Sequence, residues 1–137
     1  MEQVKVFLDT NVLLDYFTGR MGDGVAEKIV IAGSTPYYRI CISVLTGVNA
    51  LYVIRKCNKS VTASFLQKMF TILPMTPGQW NDSLQLDVED PEDALQLACA
   101  RENACHVMVT RDRHLLSTPT DSLRIISPAE FVAAITE

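Results

Sequence analysis

The chain has 137 residues, 48% of them hydrophobic and 20% charged, the balance of one globular core and too little chain for two, so a single domain over 1–137 is expected. No apolar run approaches the roughly 20 residues that cross a bilayer, and Met1-Glu2-Gln3-Val4-Lys5 lacks the layout of a signal peptide, so a cytoplasmic protein without membrane association is expected. A net charge of −4 and a pI near 5.1 argue against gripping nucleic acid by bulk electrostatics, although carboxylates gathered around cations also leave an enzyme formally acidic.

Val4-Lys5-Val6-Phe7-Leu8 is a short apolar run, and Asp9-Thr10-Asn11 supplies helix-starting residues before the periodic Val12, Leu13, Tyr16 and Phe17. A strand feeding a helix is expected. A second helix runs from about Gly24 to Ala32 and stops at Gly33, after which Tyr37-Tyr38-Arg39-Ile40-Cys41-Ile42 reads as a strand. Ser43 then caps a helix reaching about Lys56. Ser60 opens the next, ending near Phe70, and Ile72-Leu73-Pro74-Met75 is briefly extended.

Thr76-Pro77-Gly78-Gln79 has the layout of a capping box with proline at the first helical position, starting a helix to roughly Leu86. Asp90-Pro91-Glu92-Asp93 opens another over Ala94 to Asn103, and His106-Val107-Met108-Val109-Thr110 is the clearest buried strand. Arg124-Ile125-Ile126 is a short strand. Ser127-Pro128-Ala129-Glu130 repeats the capping-box layout and starts the last helix, with Phe131, Val132 and Ile135 as its apolar residues.

Strands alternating with helices, through connections too long for hairpins, imply an α/β fold with three α/β/α layers around a mostly parallel sheet. Sites in such sheets form beyond the carboxyl ends of the strands, where Asp9 and Asp112 fall. The four cysteines, Cys41, Cys57, Cys99 and Cys105, form no CxxC pair and sit in apolar segments, which indicates neither a disulfide framework nor a zinc site.

Asp9 ends the first strand, Asp93 lies in the first turn of a helix, and Asp112 comes two residues after the strand 106–110, so three distant carboxylates can converge. Magnesium and manganese favour such oxygen ligands, and one or two carboxylates plus waters leave room for a phosphate. Like charges this crowded otherwise repel and take up protons. A two-metal arrangement activates water and stabilises the leaving oxygen without a histidine or serine nucleophile.

Val6-Phe7-Leu8-Asp9-Thr10-Asn11-Val12-Leu13-Leu14-Asp15, Ile42-Ser43-Val44-Leu45-Thr46, Asp90-Pro91-Glu92-Asp93-Ala94-Leu95-Gln96 and Val107-Met108-Val109-Thr110-Arg111-Asp112, in that order and spacing, resemble the PIN-domain family of nucleases, specifically its small bacterial, toxin-like members. The resemblance implies a PIN-like α/β/α fold, a magnesium or manganese cofactor, an RNA substrate, an antitoxin partner and a homodimer. It implies that Asp9, Asp93 and Asp112 bind metal, with Asp90 matching a further acid found in one branch. Asn11 and Thr110 are implied to orient the carboxylates. Where most of the family carries a glutamate, this chain has Asn49, whose carbonyl oxygen can still meet a metal or water but adds no charge.

Simpler readings stand beside these. Asp9, Asp90 and Asp112 each qualify as helix N-caps, and Asp93 also favours a helix dipole. Arg111 and Arg113 flank Asp112 and suit either RNA phosphates or open solvent. Glu92, Asp87 and Asp15 read as solvated surface charges, with Glu92 the exception if any because it adjoins Asp93, and His106 and His114 read as structural. The leading expectation is a metal-dependent endoribonuclease. Its alternative is a binding module weakened by Asn49. A phosphotransferase using Asp9 as nucleophile is disfavoured, because Asn11 stands where such enzymes place a second aspartate.

Overall fold

The computed structural model describes residues 2–54 and 58–136. Its elements are β1 (Val4–Leu8), α1 (Thr10–Thr18), α2 (Val25–Ala32), β2 (Tyr38–Ser43), α3 (Val44–Val53), α4 (Lys59–Met69), β3 (Thr71–Leu73), α5 (Pro77–Ser83), α6 (Pro91–Glu102), β4 (Val107–Val109), α7 (Arg113–Leu116), β5 (Arg124–Ile126) and α8 (Pro128–Ile135). The strands form one sheet in the order β3-β2-β1-β4-β5, and every neighbouring pair is parallel.

β1 takes the central place because its residues are apolar on both faces: Val6, Phe7 and Leu8 are sealed from solvent. Val6 and Leu8 join one core with Val12, Leu13, Ile29 and Leu66 under α1, α2 and α4, completed by Phe131 of α8. Phe7 joins the other with Cys41, Met108, Leu97 and Leu115 under α6 and α7. A parallel sheet covered on both sides needs such strands, and each side chain of this kind, fully buried, stabilises the fold by about 1.5–3 kcal/mol. Cys99 and Cys105 share the second core, and both are free thiols, as is Cys41. Among the described residues no helix is long and apolar enough to cross a membrane.

Several boundaries differ from expectation for local reasons. Asn58, not Ser60, caps α4, its side-chain oxygen accepting from the Ser60 and Val61 amides. Thr76 caps α5, but Gln79 turns its amide away to donate to the Pro74 carbonyl, so only half of the capping box forms, and the helix ends at Ser83. The box at Ser127 and Glu130 is complete. Helix α3 closes at Val53, and the expected end at Lys56 falls outside the described residues. Gly33 follows α2 with an ordinary right-handed backbone. Its role is close approach, since a Cβ there would meet Ile40 Cγ1 at 2.7 Å. Gly19 does use the left-handed conformation (φ 63°) to end α1.

A buried polar hub ties together the helices that present the sheet's carboxyl edge. Gln96 of α6 donates through Nε2 to Thr46 Oγ1 of α3 at 2.7 Å and to Thr10 Oγ1 of α1 at 3.1 Å. The two threonine hydroxyls lie 2.8 Å apart. Gln96 and Thr46 are fully buried, so these bonds work in a medium of low dielectric where an unmet donor is costly. Thr46→Val keeps shape and removes one hydroxyl, stranding part of the hub. The expected loss is about 1–3 kcal/mol, read as a lower urea midpoint at unchanged slope; an unmoved midpoint would show that the hub adds nothing net.

Candidate functional site

β1 and β4 pair in parallel with Leu8 opposite Val109, so the residues that follow them, Asp9 and Thr110, leave the sheet side by side. Thr110 is fully buried. Its hydroxyl donates to Asp9 Oδ2 at 2.8 Å and accepts from the Asp112 backbone amide at 3.0 Å. Asn11 Nδ2 reaches the same Asp9 oxygen at 3.3 Å, while the Thr10 amide donates to Asp9 Oδ1 at 2.9 Å. Asp9, only 4% exposed, thus has both oxygens fixed by donors, as an N-cap of α1 and as a wall of the site.

Asp112 caps α7 through Oδ1, which accepts from His114 and Leu115 amides at 2.9 and 3.0 Å. Asp90 caps α6 through Oδ1 in the same manner, accepting from Glu92 and Asp93 amides. In both cases one oxygen serves the helix and the other is left for something else. Asn49, on α3, donates through Nδ2 to Glu92 Oε1 at 3.2 Å, which joins the amide to an acid from α6.

Electrostatics brings these groups into one field. Burial, and then the charges of Asp9, Asp112, Asp90 and Glu92, push the Asp93 carboxyl up to about 7. Burial also raises Asp9, against the lowering effect of its bonds to Thr110 and Thr10, and Asp112 and Glu92 raise it further. Among the described residues no arginine or lysine pairs with these acids, because both ion pairs fall on Asp15. Nor do any three His, Cys, Asp or Glu side chains there meet closely enough to cage an ion as they stand. The acids nevertheless feel one another's charge. Asp90 and Asp93 face a cleft of about 740 Å³ together with His114.

Asp15 corrects an expectation. It is buried at 4% exposure and bonded on both oxygens, by Arg20 Nε at 2.5 Å and by Arg111 Nε and Nη2 at 2.6 and 3.0 Å. Its place one helical turn after Asn11 was the available clue, since Asn11 Oδ1 accepts from the Arg111 amide at 3.4 Å on the same side of α1. The Arg111 guanidinium is therefore held by Asp15, whereas Arg113 is exposed and its side chain has no hydrogen-bond or ion-pair partner among the described residues. The Gln96 hub was also missed. Its signal was a polar residue amid Ala94, Leu97 and Ala98, all buried in α6.

The family model described as PIN domain matches residues 5–114. The chain is similar in structure to a toxin–antitoxin complex from Klebsiella pneumoniae, with a TM-score of 0.70, 23% identity, and 90% of this chain and 97% of that chain covered. It is similar to VapBC2 from Rickettsia felis bound to a DNA fragment from their promoter, with a TM-score of 0.69, 13% identity and coverage of 90% and 98%. It is also similar to Mycobacterium tuberculosis VapC20, described as a sarcin–ricin loop cleaving toxin, with a TM-score of 0.53, 17% identity and coverage of 75% and 86%. No curated protein matches the sequence.

The raised Asp93 carboxyl makes metal-free stability depend on pH. Its ordinary value is 3.8 and its folded value is about 7, so between these the folded state keeps a proton that the unfolded state has released. Stability from this group is full below the lower value and is lost as pH rises through the upper one. In EDTA, the melting temperature should fall from about pH 5 to pH 8, and Asp93→Asn should flatten that slope. Parallel slopes for the two proteins would remove Asp93 from the coupled cluster.

Proposed function

The chain belongs to the PIN-domain family, and from that premise we propose that it is a single-domain, metal-dependent endoribonuclease of the cytoplasm, acting as the toxin of a toxin–antitoxin pair. The observation that carries this reading is the group of carboxylates at the sheet's carboxyl edge, where Asp9 and the Asp112 backbone share Thr110 and Asp93 feels the charge of both acids. Burial first, and then the neighbouring carboxylates, raise these acids, and a bound cation would offset both effects.

The donor set fits a hard divalent cation, because every candidate atom is oxygen. Asp9, Asp93 and Asp112 would hold magnesium or manganese with water completing the shell. When bound, the cation supplies a polarised water and positive charge for the departing oxygen. The protein's own contribution is placement. Thr110, Asn11 and the Thr10 amide lock the Asp9 rotamer; Asp93, on the wall of the 740 Å³ cleft, meets the phosphate side of an RNA strand; and Asp90 holds the first turn of α6 that presents it.

Asn49 does not empty the fourth corner. By holding Glu92 through its Nδ2, it brings in a carboxylate that the fields at Asp9 and Asp93 already register, and its own carbonyl oxygen is left for water. The binding-module alternative has Asn49 as its support, and that contact weakens it. The antitoxin partner and a homodimer accompany the toxin reading, consistent with the toxin–antitoxin complexes among the similar structures.

Thr110→Val should lower metal-dependent cleavage of single-stranded RNA by about 10–100-fold, and Asp93→Ala should cost more; full activity in Asp93→Ala would end the proposal. By calorimetry, Glu92→Gln should weaken manganese binding and Asn49→Glu should strengthen it. Affinities unmoved by both changes would place the α3–α6 contact outside the metal site.

A further inference from the structure

A second cleft lies on the other side of the acids. The short helix α7, capped by Asp112, divides the two: His114 and Ser117 line the cleft shared with Asp93, whereas Arg113 and Leu116 line another of about 500 Å³. That volume falls within the roughly 300–1,000 Å³ of small-ligand sites. Its walls come from α1, the start of α2 and the start of α8, with Val12, Val25, Ala26 and Pro128 among the apolar lining. Nothing in the proposed chemistry uses it.

Arg111 also lines this cleft, and the way it is held matters. Nε and Nη2 both grip Asp15, so the planar guanidinium is anchored by its edge and offers a flat face. Arginine planes stack on unpaired bases. Arg113, one residue beyond Asp112 and without an internal partner among the described residues, is a free cation at the boundary with the acids. Asp23 and Glu27 also line the cleft, and carboxylates are suited to accept from exocyclic amino groups.

We propose that this cleft takes one unpaired base of the RNA strand next to the scissile phosphate, stacked on Arg111, with Arg113 on the adjoining phosphate. The inference rests on the nuclease reading only for the path of the strand across Asp112. A planar ring with apolar faces and a polar edge matches a flat cation, apolar walls and an acidic border. A paired base cannot enter, so the cleft selects single-stranded or looped RNA.

The test is run in EDTA, which silences metal-dependent cleavage. Adenosine, guanosine, cytidine and uridine are titrated separately into isotope-labelled protein, and amide shifts are followed by NMR. At least one nucleoside should give saturable shifts centred on Val25, Ala26, Arg111 and Ala129, and Ala129→Phe, at an exposed position on the cleft wall, should abolish them. With a single-stranded RNA of about eight nucleotides, one base-less position should weaken binding about tenfold in the unaltered protein and have no effect in Arg111→Lys.

Nucleosides that leave these amides unmoved overturn the proposal. Base binding in EDTA by a protein that cuts no RNA with manganese present would instead support the cleft and sink the nuclease.

Discussion

The pairing of β1 with β4 is the constraint from which the site follows. Because the two strands are parallel and Leu8 lies opposite Val109, the chain leaves both strands at the same edge. One buried hydroxyl, Thr110 Oγ1, can then serve Asp9 with its proton and the Asp112 amide with its lone pair. A shift of one residue in that register would turn every side chain to the opposite face of the sheet, and both the core and the carboxylate pair would be lost together. The site is therefore as well fixed as the centre of the core, since Val6, Phe7 and Leu8 decide both.

Such a site works against folding, and the structure shows what offsets it. Asp9 is removed from water and feels like charges, yet three donors meet it. Asp93 has less help and answers by holding its proton up to about 7. The helices that carry Asp9 and Asp93 bring like charges into one field, and apolar contact alone resists sliding poorly. The directional bonds of Gln96 to Thr10 and Thr46 oppose that sliding at the place where the charges push.

Much of this was legible from the residues, and the failures have a common cause. Element order, the parallel sheet and the acids at its edge follow from local patterns: β-branched runs, caps such as Ser43, Asp90 and Ser127, and the position of Asp9 and Asp112 after strands. Asp15 was misread because a carboxylate on a short helix is by default solvated, and its two arginines approach from one helical turn away and from a strand end 96 residues away. Gln96 was overlooked because its partners lie 50 and 86 residues distant. Single-residue patterns report the near neighbourhood. They do not report which polar side chains a topology will bury together.

The acidic composition, which first counted against an RNA partner, takes on another meaning once the charges are located. Arg20 and Arg111 pair with the buried Asp15, and the acids gather at a single edge. A chain with a net charge of −4 has little long-range attraction for a polyanion, and with few phosphate contacts its binding should depend only weakly on salt. If RNA is the substrate, as proposed, recognition would rest on short-range contacts: a cation held by the carboxylates, the exposed Arg113 side chain, and shape. On the proposed nuclease reading, such a surface would discriminate before it attracts, as selection of an unpaired segment requires.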